Sequence, residues 1–232
     1  MKFEWLHYTS KDRLIVFCAG WGMDATPFAP LRSENYDVLI GFDYSTEAKE
    51  TDIRKLAACY QSIYLVSWSM GVVNGQKAFA ESADHFERKI AINGTLQPVH
   101  DDFGIPVVTC LATLRNMGEE TLVKFYRRMC RSSAVLEKFL HNRPNRSIES
   151  IQHELQVIVE NAPNSVKGQS IYTDVVVATD DRIIPSDNQV RFWHDSKVLS
   201  LQGAHFPFYT WKSWDELMRE VAQIWPENTI HD

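Results

Sequence analysis

The sequence predicts an α/β fold: a mostly parallel sheet covered by helices on both faces, with a helical cap inserted in its second half. Three observations predict it. Short continuous apolar runs at 14–18, 63–66 and 175–178 suit strands buried on both faces. Up to residue 92 such runs alternate with helix-period segments, the pattern of βαβ units. From about 105 to 166 the β-branched runs stop and helical periods take over. The 232 residues, 44% hydrophobic and 23% charged, suit one sizeable domain spanning 1–232, with the cap at about 105–168.

In chain order, residues 2–8 read as an edge strand and 13–18 as a buried one. The latter runs into Ala19-Gly20-Trp21-Gly22-Met23-Asp24, a turn with two glycines. A helix is expected over 26–31 and a strand over 36–40, ending in Gly41-Phe42-Asp43-Tyr44. Thr51 or Asp52 is placed to cap a helix reaching about 60. The strand at 63–66 leads into a helix over 71–86, and a short strand at 89–92 closes on Asn93-Gly94-Thr95. Within the cap, residues 119–131 are amphipathic, with Leu122, Phe125, Tyr126 and Met129 at helical spacing, and 147–161 form a second helix capped by Ser147. Length favours a cap over ordinary sheet-covering helices. Strands return at 173–178 and 197–201, and an amphipathic helix over 213–224 ends before Pro226. There is no internal repeat or low-complexity segment.

Composition excludes several functions. A formal charge of −6 argues against general nucleic-acid binding. No run reaches membrane-spanning length. Cys18, Cys59, Cys110 and Cys130 have neither paired nor metal-ligand spacing, and the charges in Met1-Lys2-Phe3-Glu4-Trp5 do not resemble a secretory signal. Reduced thiols and a cytoplasmic location are therefore expected. Eight histidines include no His-x-x-x-His pair on a plausible helix, so neither a metal nor another cofactor is expected. The oligomeric state is not legible.

The chemistry centres on residues 63–75. An apolar run leads into Ser67-Trp68-Ser69-Met70-Gly71, after which a helical pattern begins. This is the form of a nucleophile elbow, a sharp strand-to-helix turn that needs small residues two before and two after the nucleophile. Gly71 meets that need, and Ser67 stands where glycine is usual. Ser69 is the candidate nucleophile, beside the free N–H groups of a helix start. Serine acyl transfer also requires a base, an orienting acid and an oxyanion hole, each at the carboxyl end of a strand. His205 is the base candidate, because among the histidines it alone directly follows a predicted strand in a glycine-containing loop. Asp181 is the acid candidate, with Asp180 as its rival; the match to the hydrolase loop favours Asp181. The oxyanion donors are expected to be the Met70 N–H and, from the first sheet loop, the Trp21 N–H, with the Trp21 indole also walling the acyl pocket. The order Ser69, Asp181, His205 is that of α/β-hydrolases.

Seven segments make the resemblance more specific: Phe17-Cys18-Ala19-Gly20-Trp21-Gly22-Met23, Gly41-Phe42-Asp43-Tyr44, Trp68-Ser69-Met70-Gly71, Ala91-Ile92-Asn93-Gly94-Thr95, Gly104-Ile105-Pro106, Phe125-Tyr126-Arg127-Arg128-Met129-Cys130 and Gly203-Ala204-His205-Phe206-Pro207. Through these the chain resembles, over most of its length, the pimeloyl-acyl-carrier-protein methyl ester esterases of biotin synthesis, in the short BioG branch. The larger esterase of that step has His where Ala19 stands, so different support for this loop is expected. The resemblance implies hydrolysis of the methyl ester while the carrier thioester survives, with acyl-carrier protein as partner. On this reading Arg127, Arg128 and Arg131 dock the acidic carrier protein. Phe125, Tyr126 and Met129 line the acyl channel, and Lys138, Arg143 and Arg146 are further basic candidates. The alternatives are a serine hydrolase of short esters or thioesters, and a non-catalytic module that binds carrier protein.

Overall fold

The computed structural model describes residues 1–46, 53–162 and 169–224. Its centre is a seven-stranded sheet of order β1-β3-β2-β4-β5-β6-β7. The strands are β1 (Lys2–His7), β2 (Arg13–Cys18), β3 (Tyr36–Phe42), β4 (Ser62–Trp68), β5 (Arg88–Ile92), β6 (Asp174–Ala178) and β7 (Val198–Leu201). Only β1, at one edge, is antiparallel. The apolar runs become these strands because both faces are covered: every residue of β3 and β6 is buried, and all but the first of β2. One side of the core is aromatic. Phe17 of β2 packs edge-on against Phe28 and Phe208 and tilts against Trp214.

Helices α1 (Ile53–Ala57) and α2 (Met70–Phe79) follow β3 and β4. Between β5 and β6 the described residues form four helices: α3 (Val107–Arg115), α4 (Glu119–Cys130), α5 (Ser133–His141) and α6 (Ile148–Asn161). The short α7 (Ser186–Phe192) follows β6, and α8 (Trp214–Ile224) follows β7. Ser147 caps α6, its hydroxyl accepting from the Ser150 amide, and Ser213 does the same for α8 through the Glu216 amide. Among the described residues no helix is long and apolar enough to cross a membrane.

Several boundaries differ from expectation. The helix expected over 26–31 is a single 3-10 turn, Thr26–Phe28, in a segment with Pro27 and Pro30. The helix expected over 71–86 ends at Phe79 and continues as a 3-10 segment, Ala80–His85, broken at Ser82. The helix expected over 119–131 stops one residue early, because Arg131 adopts a left-handed φ of 59° and turns the chain into α5. The expected caps Thr51 and Asp52 and the terminal Pro226 lie outside the described residues.

One steric requirement governs the join of β4 to α2. A Cβ on Gly71 would lie 2.2 Å from the Cys18 carbonyl oxygen and 2.6 Å from that of Ala19, both immovable backbone. Gly71→Ala is therefore expected to destabilise the fold by about 3 kcal/mol or more, the upper end for overpacking. Denaturant unfolding checks this, and an unchanged midpoint would contradict the close approach.

Candidate active site

Ser69 ends β4 and begins α2 with φ 57° and ψ −124°, a conformation that costs a non-glycine residue of order 1–3 kcal/mol. The strain lifts its side chain off the sheet edge. Its amide is fixed to the carbonyl of Ile92 on β5 (3.0 Å). Ser69 Oγ lies 2.8 Å from His205 Nε2, and His205 Nδ1 lies 2.7 Å from Asp181 Oδ2. All three residues are buried. Loops from three strands thus bring together groups separated by 112 and 24 residues in sequence.

The surrounding bonds hold this geometry. Asp181 Oδ1 accepts from the amides of Ile183 (2.8 Å) and Ile184 (3.0 Å), and Oδ2 accepts from Gln189 Nε2 (2.8 Å). Asp180 turns outward to Arg131 and Arg182, whose hydrogen bonds, Arg182 first, hold its carboxyl below the usual range. Behind His205, its carbonyl accepts from the Trp68 indole (2.7 Å) and from Asn93 Nδ2 (3.0 Å). Asn93 Oδ1 in turn accepts from the Ala178 amide (2.7 Å), so one side chain ties the ends of β5 and β6 to the histidine loop.

The loop after β2 faces Ser69. A Cβ on Gly20 would meet the Trp68 ring at 2.8 Å, so glycine lets this loop close on the elbow. The amides of Trp21 and Met70 have no backbone acceptor among the described residues. Ala19 has no polar side chain, so the loop is held by other residues. The Tyr44 hydroxyl donates to the Ala19 carbonyl (2.6 Å), the Gly22 amide to Glu154 Oε2 (3.0 Å), and the Trp21 indole to the Ile151 carbonyl (2.9 Å). Burial pushes the Glu154 carboxyl up, opposed by Arg146 and by the amides of Tyr44 and Gly22. Burial also works to raise the Asp43 carboxyl, but Lys2, Ser45 and Arg146 bring it down to about 2.

A narrow apolar cleft runs from Ser69 between α3, α4 and the loop after β6. Trp21, Met70, Ile105, Phe125 and Ile183 line it throughout, and Arg128 stands at its far end with Thr109 and Thr113. Its volumes are about 10 Å³ beside Ser69 and about 30 Å³ beyond. Of the expected channel residues, Phe125 is on this wall, edge-on to Trp21 (5.0 Å). Tyr126 and Met129 are not. Tyr126 is buried against Phe139 (4.8 Å), and Met129, fully buried, accepts the Phe206 amide on its carbonyl (3.2 Å). The reason is helical geometry: the apolar stripe of α4 is wide enough to meet α5 and the His205 loop, and only its edge reaches the cleft.

The basic residues of the insert also separate. Arg128 donates to the Arg182 carbonyl (2.8 Å) and Arg131 pairs with Asp180 (2.9 Å), so both tie α4 to the loop that carries Asp181. Arg127 is exposed and has no polar partner among the described residues. Lys138 lies over the Tyr209 ring, Arg143 pairs with Glu119, and Arg146 is buried. Sequence reasoning missed Gln189, Tyr44 and Glu154. Glu154 had a signal: it interrupts the apolar spacing Ile151, Leu155, Ile158 on the buried face of α6. Among the described residues no cluster of His, Cys, Asp and Glu has a metal-holding arrangement.

Residues 1–217 match the family model described as pimeloyl-ACP methyl esterase BioG. The chain is 34% identical over 198 residues to a malonyl-[acyl-carrier protein] O-methyltransferase of Bacteroides fragilis, covering 84% of this chain; the chain spans only 40% of that relative's length. It is 31% identical over 221 residues to an uncharacterized protein of Haemophilus influenzae, covering 94% of this chain and 99% of the relative. The crystal structure of BioG from H. influenzae superposes with a TM-score of 0.82 at 29% identity, over 93% of this chain and 98% of that one. An enol-lactonase from Burkholderia xenovorans LB400 shares the α/β-hydrolase fold at a TM-score of 0.62, with 16% identity over 96% and 95% of the two chains.

The two adjacent aspartates are expected to behave differently. Asp181→Asn should lower kcat on a p-nitrophenyl ester about 10⁴-fold, the scale seen when a triad carboxylate loses its charge. Asp180→Asn should leave it within about threefold, because an exposed ion pair contributes little. The reverse ranking in steady-state kinetics would exchange their roles.

Proposed function

The chain belongs to the BioG family of pimeloyl-ACP methyl esterases, and on that premise we propose that it is a serine esterase of biotin synthesis. It hydrolyses the methyl ester of pimeloyl-acyl-carrier protein, releasing methanol and leaving the carrier thioester intact. The observation that carries this reading is the continuous relay from Asp181 through His205 to Ser69, at 2.7 and 2.8 Å. His205 Nε2 takes the Ser69 proton as Oγ attacks the ester carbonyl. The oxyanion is met by the amides of Trp21 and Met70. His205 then returns the proton to the departing methoxide, giving methanol and an acyl-Ser69 ester, which water hydrolyses by the same route. Asp181 accepts from Nδ1 and so holds the imidazole in the tautomer that can accept at Nε2. The B. fragilis relative is named for methyl transfer to oxygen. Such a displacement at carbon uses neither a serine nucleophile nor an oxyanion hole, whereas ester hydrolysis uses both.

The cleft gives the reading its directionality. Beside Ser69 there is room for about one water. Admitting an acyl chain requires the α4 side to move outward against the exposed contacts of Arg128 with Arg182 and of Arg131 with Asp180. The methyl ester enters first and reaches Ser69, while the thioester and the carrier protein stay at the mouth near Arg128. The acidic carrier protein is met there by Arg127, Arg128 and Arg182, which outnumber Asp180. Such rim charges chiefly raise the association rate and are screened over about 8 Å at physiological ionic strength.

Incubation of the protein with pimeloyl-acyl-carrier-protein methyl ester should yield a product lighter by one CH₂ in the intact-protein mass spectrum. Release of free carrier protein would instead indicate a thioesterase. Ser69→Ala should lower turnover on the order of a millionfold while retaining the wild-type melting temperature within a few degrees. Activity within tenfold of wild type would exclude Ser69 as nucleophile.

Arg127→Ala should lower kcat/KM on the carrier-linked ester several-fold, weaken its salt dependence, and leave p-nitrophenyl butyrate hydrolysis unchanged. Arg131→Ala, which removes the same exposed pair as Asp180→Asn, should likewise leave p-nitrophenyl butyrate hydrolysis within about threefold. Equal loss on both substrates with Arg127→Ala would count against carrier docking at that residue.

A further inference from the structure

Glu154 is a charge in an apolar setting. Its neighbours on the buried face of α6 are Ile151, Leu155 and Ile158, and it is 0% exposed. An isolated carboxylate there would be strongly disfavoured. Three donors converge on it instead: the amides of Gly22 (to Oε2, 3.0 Å) and Tyr44 (to Oε1, 3.0 Å) and Arg146 Nη1 (to Oε2, 2.6 Å). Arg146 also donates to the Met23 carbonyl (3.2 Å) and lies 3.3 Å from Asp43 Oδ1, while Asp43 pairs with Lys2 (2.7 Å). Arg146 and Lys2 thus offset Glu154 and Asp43, and the N-terminal ammonium also acts on both carboxylates. Two of the atoms held, the Gly22 amide and the Met23 carbonyl, belong to the loop that presents the Trp21 amide to Ser69.

We infer that Glu154 is a positioning residue for the oxyanion hole. The Trp21 side chain is fixed by its bond to the Ile151 carbonyl (2.9 Å), and the next peptide is fixed by Glu154. With both held by α6, the Trp21 amide keeps its aim at the ester oxygen. Preorganised donors of this kind stabilise charge that develops only in the transition state. The inference rests on the reading of Ser69 as nucleophile given above. It also makes a carboxylate necessary. Both oxygens of Glu154 face only donors, so glutamine, of nearly the same shape, would set its NH₂ against an amide or the guanidinium.

Glu154→Gln is expected to lower kcat for p-nitrophenyl butyrate about 100-fold, the loss typical of one oxyanion donor, with KM changed less than about threefold. Affinity for an alkyl trifluoromethyl ketone, to which a serine adds as a hemiketal oxyanion, should fall by the same factor as kcat/KM. If Glu154→Gln does not fold, Glu154→Gln with Arg146→Met removes both buried charges, a change such pairs often tolerate, yet still deprives Gly22 of its carboxylate. The same kcat loss and weakened ketone binding are expected. Either variant with kcat within threefold of wild type and unchanged ketone affinity would overturn the inference. So would a rise in KM that accounts for the whole loss, or failure of both variants to fold, which would make the network purely structural. Ser69→Ala separates the two levels: if it stays active, the serine reading itself falls, and if it is inactive while Glu154→Gln is not, only the role of Glu154 does.

Discussion

The site depends on how closely the start of α2 approaches the end of β2. Gly71 rests against the Cys18 and Ala19 carbonyls with no room for a methyl group, and Gly20 rests against the Trp68 ring. These two approaches place the Ser69 hydroxyl and the Trp21 amide on one small volume. The strain at Ser69, with its positive φ, is tolerated because the flanking strands β2, β4 and β5 are paired in register and buried on both faces. The sheet is therefore the rigid part, and the chemistry sits on its carboxyl edge, where three loops meet.

The insert between β5 and β6 is built into this edge and does more than cover it. Ile151 and Glu154 of α6 hold the loop after β2, Arg128 and Arg131 at the end of α4 hold the loop after β6, and the Met129 carbonyl receives the Phe206 amide just past His205. The three attachments differ in kind. Those to α6 are buried and charge-balanced, so they are costly to break. Those of the two arginines are exposed, and exposed pairs contribute little net stability. The α4 side of the cleft is therefore tied more weakly than the α6 side, which holds the loop after β2.

The match to the BioG family model and the superposition on H. influenzae BioG extend across the insert as well as the sheet. The Burkholderia enol-lactonase superposes over 96% of the chain as well, but at 16% identity this shows the shared α/β-hydrolase fold alone. Arginine in the insert stands in two physical settings. Arg146, shielded from solvent, balances Glu154 and Asp43, whereas Arg127 is exposed on α4.

The strands and the order of the chemical groups were legible in the sequence. A buried parallel strand must be continuously apolar, and a strand-to-helix elbow must have small residues around its serine. Ser69, Asp181 and His205 could be singled out because each lies in the turn after a strand predicted from the sequence. Asp180 and Asp181 are adjacent and chemically identical, so what separates them is direction: one carboxylate accepts from Ile183, Ile184 and Gln189 inside, while the other meets arginines outside. The amphipathic stripe of α4 was likewise plain, but a stripe records only that a face is buried and not against what; tertiary packing gave Phe125 to the cleft and Tyr126 and Met129 to the core. The arginines show the same limit, since composition counts charges and only the fold pairs them. Periodicity and steric need are local and were set by the sequence itself, whereas the two amides that bind Glu154, 110 and 132 residues away along the chain, meet it only once α6 has packed against the sheet edge.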